Sequence, residues 1–181
     1  MRADASRNLS RVLRTGARLL AADPATSIAT IAAESGVDRR TVYRRFDTRE
    51  ALLAAVFQAK LDSVEQVLDQ ARLDEAPVTV ALHRYVEGII PVSREWPLDT
   101  RRMMRADPAA SARREEQSQR LDNFMQRATS EGLLRADLPA SWARSMLDNL
   151  VDTAAHDFPG IEAPRAADLV VDTLLNGVRR P

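Results

Sequence analysis

The segment RRTVYRRF, residues 39–46, has the residue types that could do chemistry in the first quarter of the chain. On an α-helix each residue turns by about 100°, which places Val42 and Phe46 together on one side. The opposite side carries three polar residues, Arg40, Thr41 and Arg44. Guanidinium groups bind phosphates and the guanine edge through forked hydrogen bonds. The spacing predicts a short helix with an apolar back and a front suited to DNA.

Capping residues predict the elements that hold this segment in place. Ser27 is the expected N-cap of a helix over residues 28–35, and Gly36 supplies the left-handed residue that ends it. Asp38 is the expected N-cap of the arginine helix, and Thr48 that of a long helix reaching about Leu73. The first of these helices, the glycine turn and the arginine helix have the spacing of a helix-turn-helix motif. In that motif the second helix enters the major groove of DNA. The alternative is a solvated basic helix on a bundle, which the three successive caps disfavour.

The charge distribution separates the first third of the chain from the rest. The 181 residues carry 26 basic and 26 acidic side chains, but residues 1–60 carry 11 basic against 6 acidic. This surplus favours a polyanion as the partner of the first third alone, although an uneven solvated surface gives the same count. The chain has no cysteine, so disulfide frameworks and thiolate chemistry are excluded.

Neither a membrane-spanning helix nor a secretory signal is expected. The longest stretch without a charged residue, 24–33, is ten residues long. A spanning helix needs roughly 20 apolar residues. The first 14 residues alternate charged and apolar side chains and lack the apolar run of a signal peptide. We therefore predict a cytoplasmic protein.

Apolar periodicity close to 3.6 predicts an all-α protein of about nine helices, because alternating strand patterns are scarce. The first helix is expected over about 6–22, and a fifth after Pro77 that Pro91 must kink or end. A short sixth helix is expected from Pro97 and a long seventh from Pro108 to about Glu131. An eighth follows Pro139, and a ninth spans about 163–178. The predicted domains are a helix-turn-helix head, residues 1–50, and a helical bundle, residues 51–181.

The last two helices carry more apolar surface than one core contact needs. Adjacent i, i+4 rows run along the eighth helix, and the ninth adds its own apolar residues. The predicted interface residues are Trp142, Met146, Leu150, Leu169 and Leu174. Periodicity alone favours an intramolecular core. A helix-turn-helix commonly works as a two-fold dimer, which favours a four-helix interface between two subunits.

Large or pliable side chains beside Pro91 could line an apolar effector pocket. The candidates are Tyr85, Trp96, Met103, Met104, Phe124 and Met125, with His83 as a polar contact. Side chains of these types are more often plain core, and a lone histidine such as His83 is more commonly a packed, hydrogen-bonded side chain.

The sequence contains no recognisable motif of an enzyme active site. No two of the six glycines lie within 15 residues of each other, so dinucleotide and P-loop fingerprints are missing. The nearest approach to a metal-ligand pair is Asp152 with His156, which faces the polar side of the predicted eighth helix. We predict no enzymatic activity, no cofactor and no metal.

About 45 residues resemble the DNA-binding domain of the TetR family of transcriptional regulators. The matching positions are Ile31-Ala32, Ser35-Gly36-Val37, Thr41-Val42-Tyr43, Phe46 and Glu50-Ala51-Leu52-Leu53. Arg40 stands where the family commonly has a small residue, and Arg49 replaces the usual lysine. The resemblance implies a homodimeric repressor that leaves a palindromic operator when a small apolar effector binds its C-terminal domain.

The resemblance and the helix geometry together give a set of DNA contacts. Bases or nearby phosphates are expected to face Arg39, Arg40, Thr41 and Arg44. Phosphate anchors are expected at Ser27, Tyr43, Thr48 and Arg49. The alternative function is a helical small-molecule binder or scaffold that retains a non-regulatory DNA-binding head.

Overall fold

The structure, a computed structural model, describes residues 2–98, 108–139 and 141–178. Every regular element within these residues is an α-helix, which confirms the predicted all-α class. The helices are α1 (Arg2–Ala22), α2 (Ile28–Ser35), α3 (Arg39–Arg45), α4 (Arg49–Ala71), α5 (Val78–Glu95), α6 (Pro108–Ser130), α7 (Trp142–His156) and α8 (Ala163–Val178). The short helix predicted after Pro97 falls on residues 99–107, outside the described residues.

The predicted caps are all present. The Ser27 hydroxyl accepts the Thr30 amide at 3.1 Å, and Gly36 ends α2 with φ of 63°. The Asp38 carboxylate accepts the Thr41 amide at 3.2 Å, and the Thr48 hydroxyl accepts the Ala51 amide at 3.1 Å. Each bond satisfies an amide that has no partner within its own helix. These short-range bonds explain why the chain breaks into three helices between residues 27 and 51.

The sequence predicts that Pro91 either kinks or ends its helix. The helix does not end there. Pro91 lies inside α5, which continues to Glu95. Proline removes one backbone hydrogen bond, but neighbouring buried residues, among them Ile89, Ile90 and Val92, keep this turn packed. Helix α1 also begins earlier than predicted, at Arg2 instead of residue 6.

The first compact unit comprises the described residues of 2–62, 95–98 and 108–111. Within it α1 packs on α2 and α2 on α3. A Cβ added at Gly16 would lie 3.4 Å from the Val56 side chain, so the glycine allows close packing of α1 on α4. The Lys60 ammonium donates to the carbonyls of Trp96 and Leu98 at 2.9 and 2.8 Å, and thereby fastens the end of α5 to α4.

The second compact unit comprises the described residues of 63–94 and 112–178. Its helices are joined by buried apolar side chains and by arginines that bridge them. Arg120 of α6 reaches Glu65 and Asp69 of α4, and Arg127 donates to the Ala76 carbonyl at 2.5 Å. The last two helices, α7 and α8, pack on each other. The predicted division of roles at residue 50 remains a prediction.

None of the described helices combines the length and the apolar character that crossing a membrane requires.

Candidate nucleic-acid interface

Helix α3 has the two-sided character predicted from its sequence. Val42 and Phe46 are only 2% and 5% exposed and bind the helix to the core of the first unit. All four of its arginines are exposed, at positions 39, 40, 44 and 45. Thr41 is half-buried and Tyr43 is exposed at one edge. The apolar back fixes the helix while the arginine front stays accessible.

Arg39 and Tyr43 form a stacked pair on this surface. The guanidinium carbon of Arg39 lies over the Tyr43 ring. Such a contact contributes about 0.5–1 kcal/mol at an exposed site and restricts both side chains. The phenol hydroxyl stays at the edge of α3, where it can donate to a phosphate oxygen.

Ion pairing separates the arginines of α3 from those elsewhere in the first unit. Arg14 pairs with Glu95, and Arg18 with Glu34 at 3.9 Å. Within the part of the chain that the structure describes, the arginines of α3 have no acidic partner. Their charge is uncompensated, so a polyanion is attracted to this face more than to any paired surface.

The predicted anchor hydroxyls stand at the starts of α2 and α4. Ser27 and Thr48 are both exposed, and both already accept a backbone amide as N-caps. The Ser27 hydroxyl also lies 2.9 Å from that of Thr30. A hydroxyl that caps a helix retains its own proton for donation, so each can still reach a phosphate.

Arg49 has a structural role that the sequence did not predict. Its Nε donates to the Thr26 carbonyl at 3.3 Å, and another nitrogen donates to the Pro24 carbonyl. These bonds fasten the start of α4 to the turn between α1 and α2. The partners lie 23 and 25 residues away, so no local pattern could have revealed them. The side chain keeps 32% of its surface exposed, which leaves room for a phosphate contact as well.

The predicted effector residues are divided between core and surface. In the second unit Tyr85, Phe124 and Met125 are buried, and burial strongly raises the pKa of the Tyr85 phenol. His83 is half-exposed and lies 3.0 Å from the Asp168 carboxylate, which fits the hydrogen-bonded alternative, and its role as an effector contact stays a prediction. Trp96 is buried in the first unit. Met103 and Met104 lie outside the described residues.

The predicted dimer residues form an apolar stripe along α7 and α8. Trp142 and Leu169 are exposed, Met146 and Leu150 half-buried, and Phe158 extends the stripe at 54% exposure. A shallow groove of about 250 Å³ between the two helices is lined by Leu150, Phe158 and Leu169 among others. Leu174 is the exception, since its side chain is 2% exposed within one subunit. It faces the core of its own chain and is corrected to a core residue.

No group of three or more His, Cys, Asp or Glu side chains that could hold a metal ion occurs among the described residues. The Asp152–His156 pair is instead an exposed contact at 3.2 Å along one helix.

Comparison with known proteins agrees with this geometry. Residues 12–56 match the model of the family described as bacterial regulatory proteins, tetR family. The chain is 28% identical over 176 residues to the HTH-type transcriptional repressor LfrR of Mycolicibacterium smegmatis, which covers 93% of this chain and 89% of that protein. These proteins are transcriptional regulators and not enzymes, in agreement with the prediction.

Solved structures share the fold over nearly the whole chain. LfrR from Mycobacterium smegmatis in complex with proflavine superposes with a TM-score of 0.71 at 24% identity, covering 97% of this chain and 99% of that one. The ketosteroid transcriptional regulator KstR2 of Mycobacterium tuberculosis gives a TM-score of 0.77 at 16% identity, covering 96% and 95%. Residues 12–56 therefore match the tetR family of bacterial regulatory proteins, and over nearly its whole length the chain is similar to TetR-type DNA-binding transcriptional regulators.

Proposed function

We propose that the chain is a homodimeric repressor that binds a palindromic operator through α3 and leaves it when a small effector binds. The observation that carries the DNA step is the α3 surface, where four exposed arginines without acidic partners among the described residues stand on a buried apolar back. The repressor direction is supported by the relative LfrR, which is a repressor. A regulator of this kind acts in the cytoplasm, where the DNA is.

Roles for the DNA-contacting residues follow from their positions. Arg40 and Arg44 point away from the buried side of α3 and face base edges, with Arg39 and Thr41 beside them. The phosphate anchors Ser27, Tyr43, Thr48 and Arg49 stand at the starts of α2 and α4 and at the edge of α3. Arg49 combines the phosphate contact with the clamp that holds its own loop.

The partner proposed for the apolar stripe is a second copy of this chain. Pairing α7 and α8 with their symmetry mates would bury Trp142, Phe158 and Leu169, which are costly to leave in water. A two-fold pair presents two α3 helices to half-sites about 34–36 Å apart, or a multiple of that spacing.

The effector is proposed to bind in the second unit near the buried aromatic and methionine side chains. Tyr85, Phe124 and Met125 supply apolar and polarizable surface for a flat or hydrophobic molecule. The relative LfrR has been solved in complex with proflavine, a precedent for a planar aromatic ligand. Helix α4 is continuous from Arg49 to Ala71, so a shift of its second half carries its first half along. Effector binding thereby favours a state in which the two α3 helices no longer match the operator.

The test uses gel shifts on DNA from upstream of the chain's own gene, across a series of salt concentrations. Binding should weaken steeply as salt rises, because each neutralised phosphate releases counterions. The double variant Arg40→Gln with Arg44→Gln should abolish the shift. A matched pair from the second unit, Arg84→Gln with Arg165→Gln, removes the same charge and should preserve it. Equal effects of the two pairs would reject the assignment to α3.

Transcription assays test the regulatory step separately. Transcription in vitro from the same upstream DNA should fall when the protein is added, and a rise would make the protein an activator. Proflavine serves as the effector probe and should restore transcription. If the protein binds DNA but proflavine leaves both binding and transcription unchanged, effectors of that chemical type are excluded for this chain.

A further inference from the structure

We infer that Arg11 of α1 is a further DNA-backbone contact, made beside a groove that lies between the first turns of α1 and α3. The inference rests on the proposed DNA-binding function and extends the protein's footprint beyond the helix-turn-helix. The sequence pattern did not single out Arg11, because it lies 28 residues before the arginine run.

The groove lies in the first unit and has a volume of about 890 Å³. Leu9, Val12 and Val42 contribute apolar lining. Arg44 and Arg45 of α3 line it on one side, and Asn8 and Asp4 of α1 on the other, with Asp4 paired to Arg7. The groove is therefore open to solvent beside the surface proposed to lie on DNA, with basic side chains in its wall.

Arg11 is held beside the wall of this groove by a neutral partner. Its guanidinium donates to the Asn8 side-chain oxygen at 2.7 Å, and Asn8 lines the groove. An amide oxygen holds the guanidinium in place without cancelling its charge. At least three of its five N–H donors remain for another acceptor after this bond.

The contrast with its neighbours on α1 isolates Arg11. Arginines at positions 7, 11, 14 and 18 share the outward face of α1, opposite the buried Val12 and Leu20. Arg7 pairs with Asp4, and the arginines at 14 and 18 pair with Glu95 and Glu34. Among the described residues of this face, Arg11 alone lacks a carboxylate partner. Its charge therefore remains available to a polyanion, as do those of Arg44 and Arg45 in the groove wall.

A phosphodiester backbone is the occupant that this charge pattern fits. Fixed phosphates in a row attract uncompensated guanidinium groups, and the attraction acts within about 8 Å at physiological salt. A guanidinium already oriented by Asn8 loses less side-chain freedom when it binds. Because the contact reads the backbone and not the bases, it strengthens binding to any duplex equally.

The test compares Arg11→Gln with Arg18→Gln, which removes an equal charge from the same face of α1. The probes are the upstream DNA and a random-sequence duplex, with dissociation constants measured between about 50 and 200 mM salt. Loss of one phosphate contact lowers the slope of log affinity against log salt by about 0.9. Between the two ends of this salt range, the affinity of Arg11→Gln should therefore fall by a factor about 3.5 times smaller than the affinity of the unmodified protein does. Both duplexes should show the change, and Arg18→Gln should show neither a changed slope nor weaker binding.

A second variant, Asn8→Ala, tests the orienting bond without changing charge. At low salt it should weaken binding to both duplexes by less than Arg11→Gln does. The double variant Asn8→Ala with Arg11→Gln should bind no more tightly than Arg11→Gln alone. Circular dichroism confirms that each variant is folded. If Arg11→Gln matches Arg18→Gln on both duplexes, the inference is wrong while DNA binding itself stands. If the unmodified protein binds neither duplex, the proposed function fails and the Arg11 contact fails with it.

Discussion

The guanidinium carbon of Arg39 lies 5.1 Å from the centre of the Tyr43 ring, one turn further along α3. The stack links a residue at the N-terminal end of the reading helix to a phenol at its edge. Tyr43 is 37% exposed, so its hydroxyl is free to meet a phosphate while its ring holds the arginine. The two functions of one side chain can be separated by substitution.

Tyr43→Phe should weaken binding to the upstream DNA and to a random duplex alike, by about 0.5–1.5 kcal/mol, because it removes one hydrogen bond to the backbone. Tyr43→Ala should lose about 0.5–1 kcal/mol more, because Arg39 is then released as well. Fluorescence anisotropy with labelled duplexes measures both. A loss confined to the upstream DNA would mean that the hydroxyl reads a base.

Arg40→Ala should weaken binding to the cognate operator more than to a random duplex, by about 1–3 kcal/mol, since a forked donor facing a base edge discriminates between sequences. The matched control is Arg84→Ala in the second unit, where the same charge is lost far along the chain from α3. Equal losses on the two duplexes would show that Arg40 contacts only the backbone.

Leu169→Asp should convert the proposed dimer into monomers, because it places a charge in the apolar stripe that a second subunit is proposed to cover. Leu169 is 42% exposed, and Val80 on α5 offers a matched control at 39% exposure. Val80→Asp should leave the mass in solution unchanged. Light scattering after gel filtration measures both variants, and a dimeric Leu169→Asp protein would place the interface elsewhere.

Gly88→Ala should destabilise the second unit by about 1–3 kcal/mol, because overpacking forces side chains or backbone to move. A Cβ at this position would lie 2.9 Å from the Val67 side chain of α4. Val67→Ala in the same background should recover part of the loss.

Gly177→Ala is the matched control for this substitution. A Cβ there meets no atom within 4 Å, and alanine raises helix stability by up to about 1 kcal/mol. Urea unfolding reports all of these variants. Similar unfolding free energies for the Gly88→Ala and Gly177→Ala proteins would contradict the close α4–α5 contact.

Stability should fall as the pH rises above about 10, the ordinary pKa of a tyrosine phenol. Burial raises the pKa of Tyr85, so the folded chain keeps the phenol proton while the unfolded chain loses it. The folded state then binds more protons, and its free energy of unfolding decreases by about 1.4 kcal/mol per pH unit. Urea unfolding at a series of alkaline pH values measures the slope. Tyr85→Phe should have a smaller slope, and an unchanged slope would assign the proton to another group.

Much of the first unit could be predicted because its signals are local. The caps at Ser27, Asp38 and Thr48 each act within three residues of their own position, and Gly36 meets a backbone requirement at one residue. The burial of Val42 follows from helix periodicity alone. Such features depend little on the rest of the fold.

The features that escaped prediction depend on contacts between distant segments. Arg49 bonds carbonyls more than 20 residues away, and His83 bonds Asp168 across 85 positions. Leu174 fits an apolar row, but periodicity cannot tell whether such a row faces its own subunit or a second one. Pro91 stays inside α5 because packing around it outweighs one lost backbone bond.

Arg94 of α5 fixes the end of α7 through backbone atoms alone. Its guanidinium donates to the carbonyls of Ala154 and Ala155 at 3.0 and 3.3 Å, and to those of Phe158 and Ile161 at 3.3 and 2.8 Å. Carbonyls exist whatever the side chains are, so this fastening survives substitutions along the stripe. A cell that holds several related regulators must keep their subunits from mixing. The fastening lets such paralogues diverge in the stripe, the surface proposed to select a second subunit, while the end of α7 keeps its position.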